Sequence, residues 1–181
     1  LKINLSYFAH HNHLYSTSEF QKDFILINNI KINYFLSSLL KKNNFTHAFF
    51  NKESSKIDIN FQGGQLVRNK HNNCIIRQIH SNYIASTSKF LSQKIINADG
   101  LICDSENQNL WIYTADCMPI LFADRDKRRI AAIHCGRKGL EKNIISNAIK
   151  SFEIMGSLRK DILVSIGPSI SGDNYLLDKK T

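Results

Sequence analysis

At 181 residues the chain has the size of one ordinary domain, and with 43% hydrophobic and 10% aromatic side chains it can close a core, which excludes a disordered chain or a disulfide-stapled miniprotein. Its 24 basic and 15 acidic residues leave a formal charge of +9, but the 17 Lys, 19 Asn and 25 Ile are a skew that A+T-rich coding produces without selection for a nucleic-acid partner. No apolar run approaches the ~20 residues that a membrane-spanning helix needs, so a membrane partner is not expected.

In chain order, residues 1–20 carry His10, His11 and His13 in a polar context without a strand or helix period, and read as a loose terminus. Residues 24–27 read as a strand, and Ile32, Phe35, Leu36, Leu39 and Leu40 recur at spacings that put one apolar face on a short helix. Residues 45–50, 74–79, 110–113, 118–123 and 130–133 are β-branched or aromatic runs bounded by polar residues, and read as strands. Residues 124–129, Asp-Arg-Asp-Lys-Arg-Arg, suit a hairpin turn. They hold the one dense basic cluster, which reads as a solvated turn, and neither an RNA-binding aromatic signature nor a zinc-knuckle spacing accompanies it. After Gly136, Leu140, Ile144, Ile145, Ala148, Ile149, Phe152 and Met155 fall at helical spacing, with Gly156 placed to cap the end. Residues 162–166 form a last strand, ended by Gly167-Pro168. The pattern predicts an α+β or mixed α/β architecture in a single domain over 1–181, without repeat or linker. Cys74, Cys103, Cys117 and Cys135 make no CxxC pair, and no signal-like leader precedes them, although the chain begins at Leu1 rather than Met. Free thiols in a reducing, cytoplasmic setting are expected.

Three potential ligands stand at strand ends. His80 closes 74–79, Cys117 opens 118–123 and His134 closes 130–133. Cys117 and His134 flank the hairpin, so antiparallel pairing would bring them together. With His80 they make the two-nitrogen, one-sulfur set that zinc accepts at catalytic sites, leaving a fourth position for water, phosphate or substrate. Such binding needs thiolate and neutral imidazole. The same residue types also occur as buried cysteine and as satisfied histidine at strand ends, and their spacing is unlike compact zinc motifs, so both readings stand on residue type alone.

Local sequence is more specific. Gln78 to Ile84 reads QIHSNYI, Ala98 to Ile102 ADGLI, Thr114 to Leu121 TADCMPIL and Ala131 to Leu140 AAIHCGRKGL. In that order, followed by Gly167-Pro168 and preceded by Thr46-His47-Ala48-Phe49-Phe50, they resemble the YfiH family, also called the multicopper polyphenol oxidase or laccase-domain family. The resemblance covers roughly two thirds of the chain. It implies stacked mixed β-sheets flanked by helices, similar to the cytotoxic necrotizing factor catalytic fold, and a zinc site made of His80, Cys117 and His134. It also implies purine nucleoside chemistry: phosphorolysis of adenosine, inosine, guanosine and methylthioadenosine, and deamination of adenosine. Purine nucleoside and phosphate would then be the partners. Copper is the less favoured metal, since one such site does not supply the several ions of four-electron oxygen reduction.

Around that site, Asp116 and Asp99 can each orient a histidine or handle a proton, or merely cap a turn. Arg137 and Lys138, opening the helix after Gly136, offer an anion cradle for phosphate, or an ordinary basic helix entry. The chain departs from the family pattern where Arg137 and Lys138 replace Trp and Arg, and Lys lacks the bidentate fork. It also lacks a recognisable glycine-rich loop after Asn51-Lys52 and a Cys-Tyr-Glu-Val element after Ile170, and it stops before the family's C-terminal strand. Two other readings stay open: a Cys-dependent amide hydrolase with Cys117 as nucleophile, and a degenerate, non-catalytic relative.

Overall fold

The computed structural model describes residues 2–7, 19–27, 30–50, 73–88, 96–103 and 108–176. Two β-sheets carry the architecture. In the first, strands β1 (Lys2–Tyr7), β2 (Phe20–Ile27), β3 (Ile30–Ser37), β4 (Thr46–Phe50), β5 (Asn73–Ile75) and β8 (Asn109–Thr114) lie in the order β2-β3-β4-β1-β8-β5. In the second, β6 (Ile84–Ser86), β7 (Gly100–Ile102), β9 (Met118–Asp124), β10 (Ile130–Cys135) and β11 (Ile162–Ile166) lie in the order β11-β9-β10-β7-β6. Helix α1 (Ser38–Lys42) follows β3, and α2 (Arg137–Glu141) and α3 (Ile144–Ile154) follow β10. Parallel and antiparallel pairs occur in both sheets, so the expected α+β class of stacked mixed sheets with flanking helices holds.

Strand periodicity explains why the second sheet lies in the middle. Along β10 every residue is buried, and successive side chains point to opposite faces. Ile130 and Ala132 join Leu121 and Ala123 of β9 against Phe49, Leu110 and Ile112 of the first sheet. Ala131, Ile133 and Cys135 join Ile120 and Phe122 against Ile144, Ala148 and Phe152 of α3. A strand buried on both faces reads as a continuous apolar run, as Ile130-Ala131-Ala132-Ile133 does.

The β9–β10 hairpin forms as expected, with Ile130 opposite Ala123 and Cys135 opposite Met118. Its turn is set by Asp124, whose Oδ1 accepts the N–H groups of Asp126 and Lys127 at 2.8 and 3.0 Å. The basic cluster there is mostly exposed, but one of its side chains is held against the protein. The Arg128 guanidinium donates to the carbonyls of Asn43 and Asn44, both at 2.8 Å, and lies 3.8 Å over the Phe45 ring.

Four expectations are corrected. Lys2–Tyr7 is no loose terminus but a strand paired in parallel with β4 on one side and β8 on the other; residues 8–18, with the three histidines, lie outside the described residues. The helix expected around 32–40 is a strand as far as Ser37, paired with β2 from Phe20↔Ser37 to Ile27↔Ile30, and only Ser38–Lys42 is helical. Ile30, Ile32, Tyr34 and Leu36 also alternate with period two, and hairpin pairing selects that period over the helical one. The strand expected over 74–79 is regular only at Asn73–Ile75. The single helix after Gly136 is two, because Asn143 takes the left-handed conformation (φ 62°) that Asn tolerates. Gly156 does cap α3: at φ 85° it donates to the Glu153 carbonyl while Ser157 donates to that of Phe152, the double bond of a Schellman end.

Candidate metal centre

His80, Cys117 and His134 converge, with their potential ligand atoms all within 4.8 Å of one another. The hairpin register brings Cys117 and His134 together, since pairing of Cys135 with Met118 sets Cys117 diagonally beside His134. Cys117 and His134 share the face opposite Cys135. Cys135 is buried among the residues packed on α3, and its thiol is pushed up to about 11 by burial and then by Cys117. It is a core residue.

His80 arrives by another route. Beyond β5 the chain keeps beside β8 through a side chain: the Gln78 amide donates to the Tyr113 carbonyl at 2.6 Å and accepts the Tyr113 N–H at 2.8 Å, replacing ladder bonds that backbone would make. His80 itself has φ 57°, a left-handed conformation uncommon for a residue with a Cβ.

Asp99, fully buried at the start of β7, joins the two halves. Its Oδ1 accepts the His80 N–H at 3.0 Å and the His134 Nδ1–H at 2.8 Å. Its Oδ2 accepts the N–H groups of Ile79 and Ser81 at 3.3 and 2.6 Å and the Ser81 hydroxyl at 2.7 Å. Burial works to raise its carboxyl, but the hydrogen bonds from His134, Ser81 and Ile79 outweigh it and hold the group at about 2. Burial likewise works to lower His134, and the bonds to Asp99 and Cys117 overcome it, raising the imidazole to about 9. With Nδ1 turned to Asp99, His134 has Nε2 left for an ion.

The donor set therefore fits a metal: one sulfur, two imidazoles, and a carboxylate behind one of them. A second observation agrees. A Cβ on Gly136 would lie 3.0 Å from His80 Cδ2 and 3.1 Å from Cys117 Sγ, and one on Gly139 would lie 2.9 Å from the Ser81 carbonyl oxygen. Gly136, the extended N-cap of α2, and Gly139 within it let the start of that helix press its backbone onto the His80–Ser81 segment.

The remaining candidates are placed less centrally. Asp116 is exposed beside Cys117. Arg137 is half-buried and pairs with Glu141 at 2.9 Å, while Lys138 is exposed. His47, part of the quoted THAFF segment, takes no part, for Nδ1–H donates to the Phe45 carbonyl and Nε2 accepts the Ser37 N–H. Sequence reading missed Gln78, Ser81 and the two glycines as supports, although all four lie inside the motif segments. None of the four cysteines, all among the described residues, is in a disulfide. Among the described residues no helix is long and apolar enough to cross a membrane.

The family described as multi-copper polyphenol oxidoreductase laccase matches residues 52–181. Two relatives named purine nucleoside phosphorylase are similar. One from Synechocystis sp. is 42% identical over 81 residues, 45% of this chain and 31% of that protein. One from Rickettsia conorii is 31% identical over 145 residues, 75% of this chain and 57% of that protein. The chain thus spans less than two thirds of the length of these curated relatives. Among solved structures, the Neisseria meningitidis DUF152 protein aligns with 87% of this chain and 65% of its own, at TM-score 0.55 and 25% identity. Bacillus licheniformis YfiH aligns with 62% and 45%, at TM-score 0.55 and 27% identity.

Proposed function

Because the chain belongs to the multi-copper polyphenol oxidoreductase laccase family, we propose that it is a zinc-dependent purine nucleoside phosphorylase with adenosine deaminase activity, working in the cytoplasm. The observation that carries this reading is the convergence of His80, Cys117 and His134, with one ring nitrogen of His134 tied to buried Asp99. These three residues would hold the ion. A bound Zn²⁺ supplies Lewis acidity toward phosphate or water at its open position. A copper oxidase is disfavoured because four-electron oxygen reduction asks for several coppers and this two-His, one-Cys group has room for one ion.

In phosphorolysis the bond from ribose C1′ to the base breaks, a phosphate oxygen bonds to C1′, and the leaving base takes a proton. In deamination a water oxygen replaces the amino group at adenine C6 and ammonia leaves. Asp116, exposed beside Cys117, is the candidate to pass those protons. Arg137 and Lys138, which open α2 directly after Gly136, are the candidates for phosphate. The name shared by the Synechocystis and Rickettsia relatives supports the nucleoside and phosphate as substrates.

The test is elemental analysis of protein purified without added metal, beside Cys117→Ala. Near-stoichiometric zinc that vanishes in the variant, with adenine released from adenosine only when phosphate is present, is the expected result. Zinc untouched by the substitution overturns the site. A folded, zinc-loaded protein inert toward every purine nucleoside points to the degenerate relative.

A second reading rests on the line Asp99–His134–Cys117, which also suits a thiolate nucleophile in an amide hydrolase. Ligated sulfur cannot serve that role, so rapid alkylation of Cys117 in metal-free protein, without protection by zinc, selects it.

A further inference from the structure

We propose that Asp99 is the positioning residue of this centre, one buried carboxylate that pre-sets both histidines from opposite sides. This rests on the zinc reading above. The two ligands come from unrelated parts of the fold: His134 from the end of β10, in the middle of the second sheet, and His80 from an irregular segment beyond β5. Nothing local in either segment sets their mutual distance. The Asp99 carboxylate touches both, through the His134 ring and through three consecutive N–H groups at residues 79–81.

The His134 contact is direct. Its Nδ1–H points at Oδ1 at 2.8 Å, and the backbone N–H of His134 donates to the Asp99 carbonyl at 2.7 Å. Ring and backbone are thus both anchored to one residue, which fixes the direction of Nε2. The His80 contact is indirect. Its ring makes no bond to Asp99; the carboxylate instead holds the backbone turn on which that ring is mounted. A left-handed φ at a non-glycine residue is strained and persists where its surroundings over-determine it. Three converging N–H donors and the Ser81 hydroxyl provide that. The same turn leaves the Ser81 carbonyl free to meet α2 at Gly139.

All five donors are satisfied by an acid that is fully buried and faces no open position, so Asp99 is assigned no proton transfer to substrate. Removing it would leave the donor atoms in place and loosen their geometry. An ion gripped by three ligands is sensitive to that, and outer carboxylates on ligating histidines typically carry about 10–100-fold in metal affinity.

The experiment compares wild type and Asp99→Asn by zinc affinity against a chromophoric chelator, by the visible spectrum of the cobalt(II)-substituted protein, and by amide exchange of the metal-free protein. In the variant, zinc affinity should fall about 10–100-fold, the tetrahedral cobalt bands should weaken, and the amides of residues 79–81 should lose protection while those of β9 and β10 keep it. Wild-type zinc affinity in a folded variant, with residues 79–81 still protected, overturns the proposal, as does a variant that loses only global stability. Should Asp99→Asn fail to fold, Ser81→Ala removes one donor: a several-fold drop in zinc affinity supports the clamp and no change overturns it. If wild type takes up no zinc, the zinc reading falls by itself, and exchange at residues 79–81 still decides whether Asp99 holds that turn.

Discussion

His47 and His134 are both 4% exposed, both lie on central strands, and both have a ring Nδ1–H donated to an oxygen of the protein. Their chemistry diverges at the other nitrogen. In His47, Nε2 accepts the Ser37 N–H at 2.7 Å, so the ring is a neutral strut between two backbone groups, and burial lowers its ionisation below the usual value. In His134, Nδ1 faces a carboxylate, Nε2 remains for Cys117 and His80, and the ionisation moves the opposite way. A buried histidine is therefore poised for chemistry when one nitrogen meets a charged anchor and the other meets no backbone. Burial alone does not distinguish the two.

The largest expected effect breaks this comparison outright. His134→Gln should abolish tight zinc binding, while His47→Leu should leave it intact and instead orphan the Ser37 N–H and the Phe45 carbonyl, at about 1–3 kcal/mol each. Zinc titration and urea unfolding read the two outcomes, and zinc loss in the His47 variant would erase the distinction.

Gly136→Ala should act on the site without touching a ligand. The new methyl lies within 3.1 Å of both His80 and Cys117, so zinc affinity should fall about tenfold and unfolding stability by roughly 1–3 kcal/mol, the cost of a steric intrusion. Unchanged affinity in chelator competition would mean that α2 can withdraw and does not press on the site.

The smallest effect sharpens the contrast through pH. His47 is held below its reference value of 6.5 in the folded chain, so its contribution to stability is fully present above that value and is lost as pH falls through the lowered one. Urea midpoints measured from pH 7 down to pH 5 should therefore fall more for wild type than for His47→Leu. Parallel curves would show that His47 is free to protonate where it stands.

Much of the centre was legible as residue types at strand ends. His80, Cys117 and His134 each stand where an apolar run begins or stops, and the polar stretch at 124–129 is short enough to pair its flanking runs. That pairing is local, and it decides the Cys117–His134 contact by itself. The Gly156 cap was legible for the same reason, since it depends on near neighbours; the strand over Ile162–Ile166 was legible from its own apolar run, although its partner β9 is distant in the chain. β1 was not, because Lys2–Tyr7 is ordered by partners at 46–50 and 109–114 that no window of sequence can contain. Nor was the choice between helix and strand at Ile30–Ser37, where both periods coexist until β2 supplies a ladder.

By itself the sequence determined the donor chemistry, one thiol and two imidazoles, together with the glycines that admit α2 and the apolar runs that bury the second sheet on both faces. Only the tertiary structure decided that Gln78 would stand in for a strand, that Asp99 would reach both histidines, and that His134 rather than His47 would keep a nitrogen available. Those outcomes depend on contacts between segments 10 to 35 residues apart. Whether a polar side chain becomes strut, anchor or ligand is settled by which distant backbone groups need a partner once the sheets have packed.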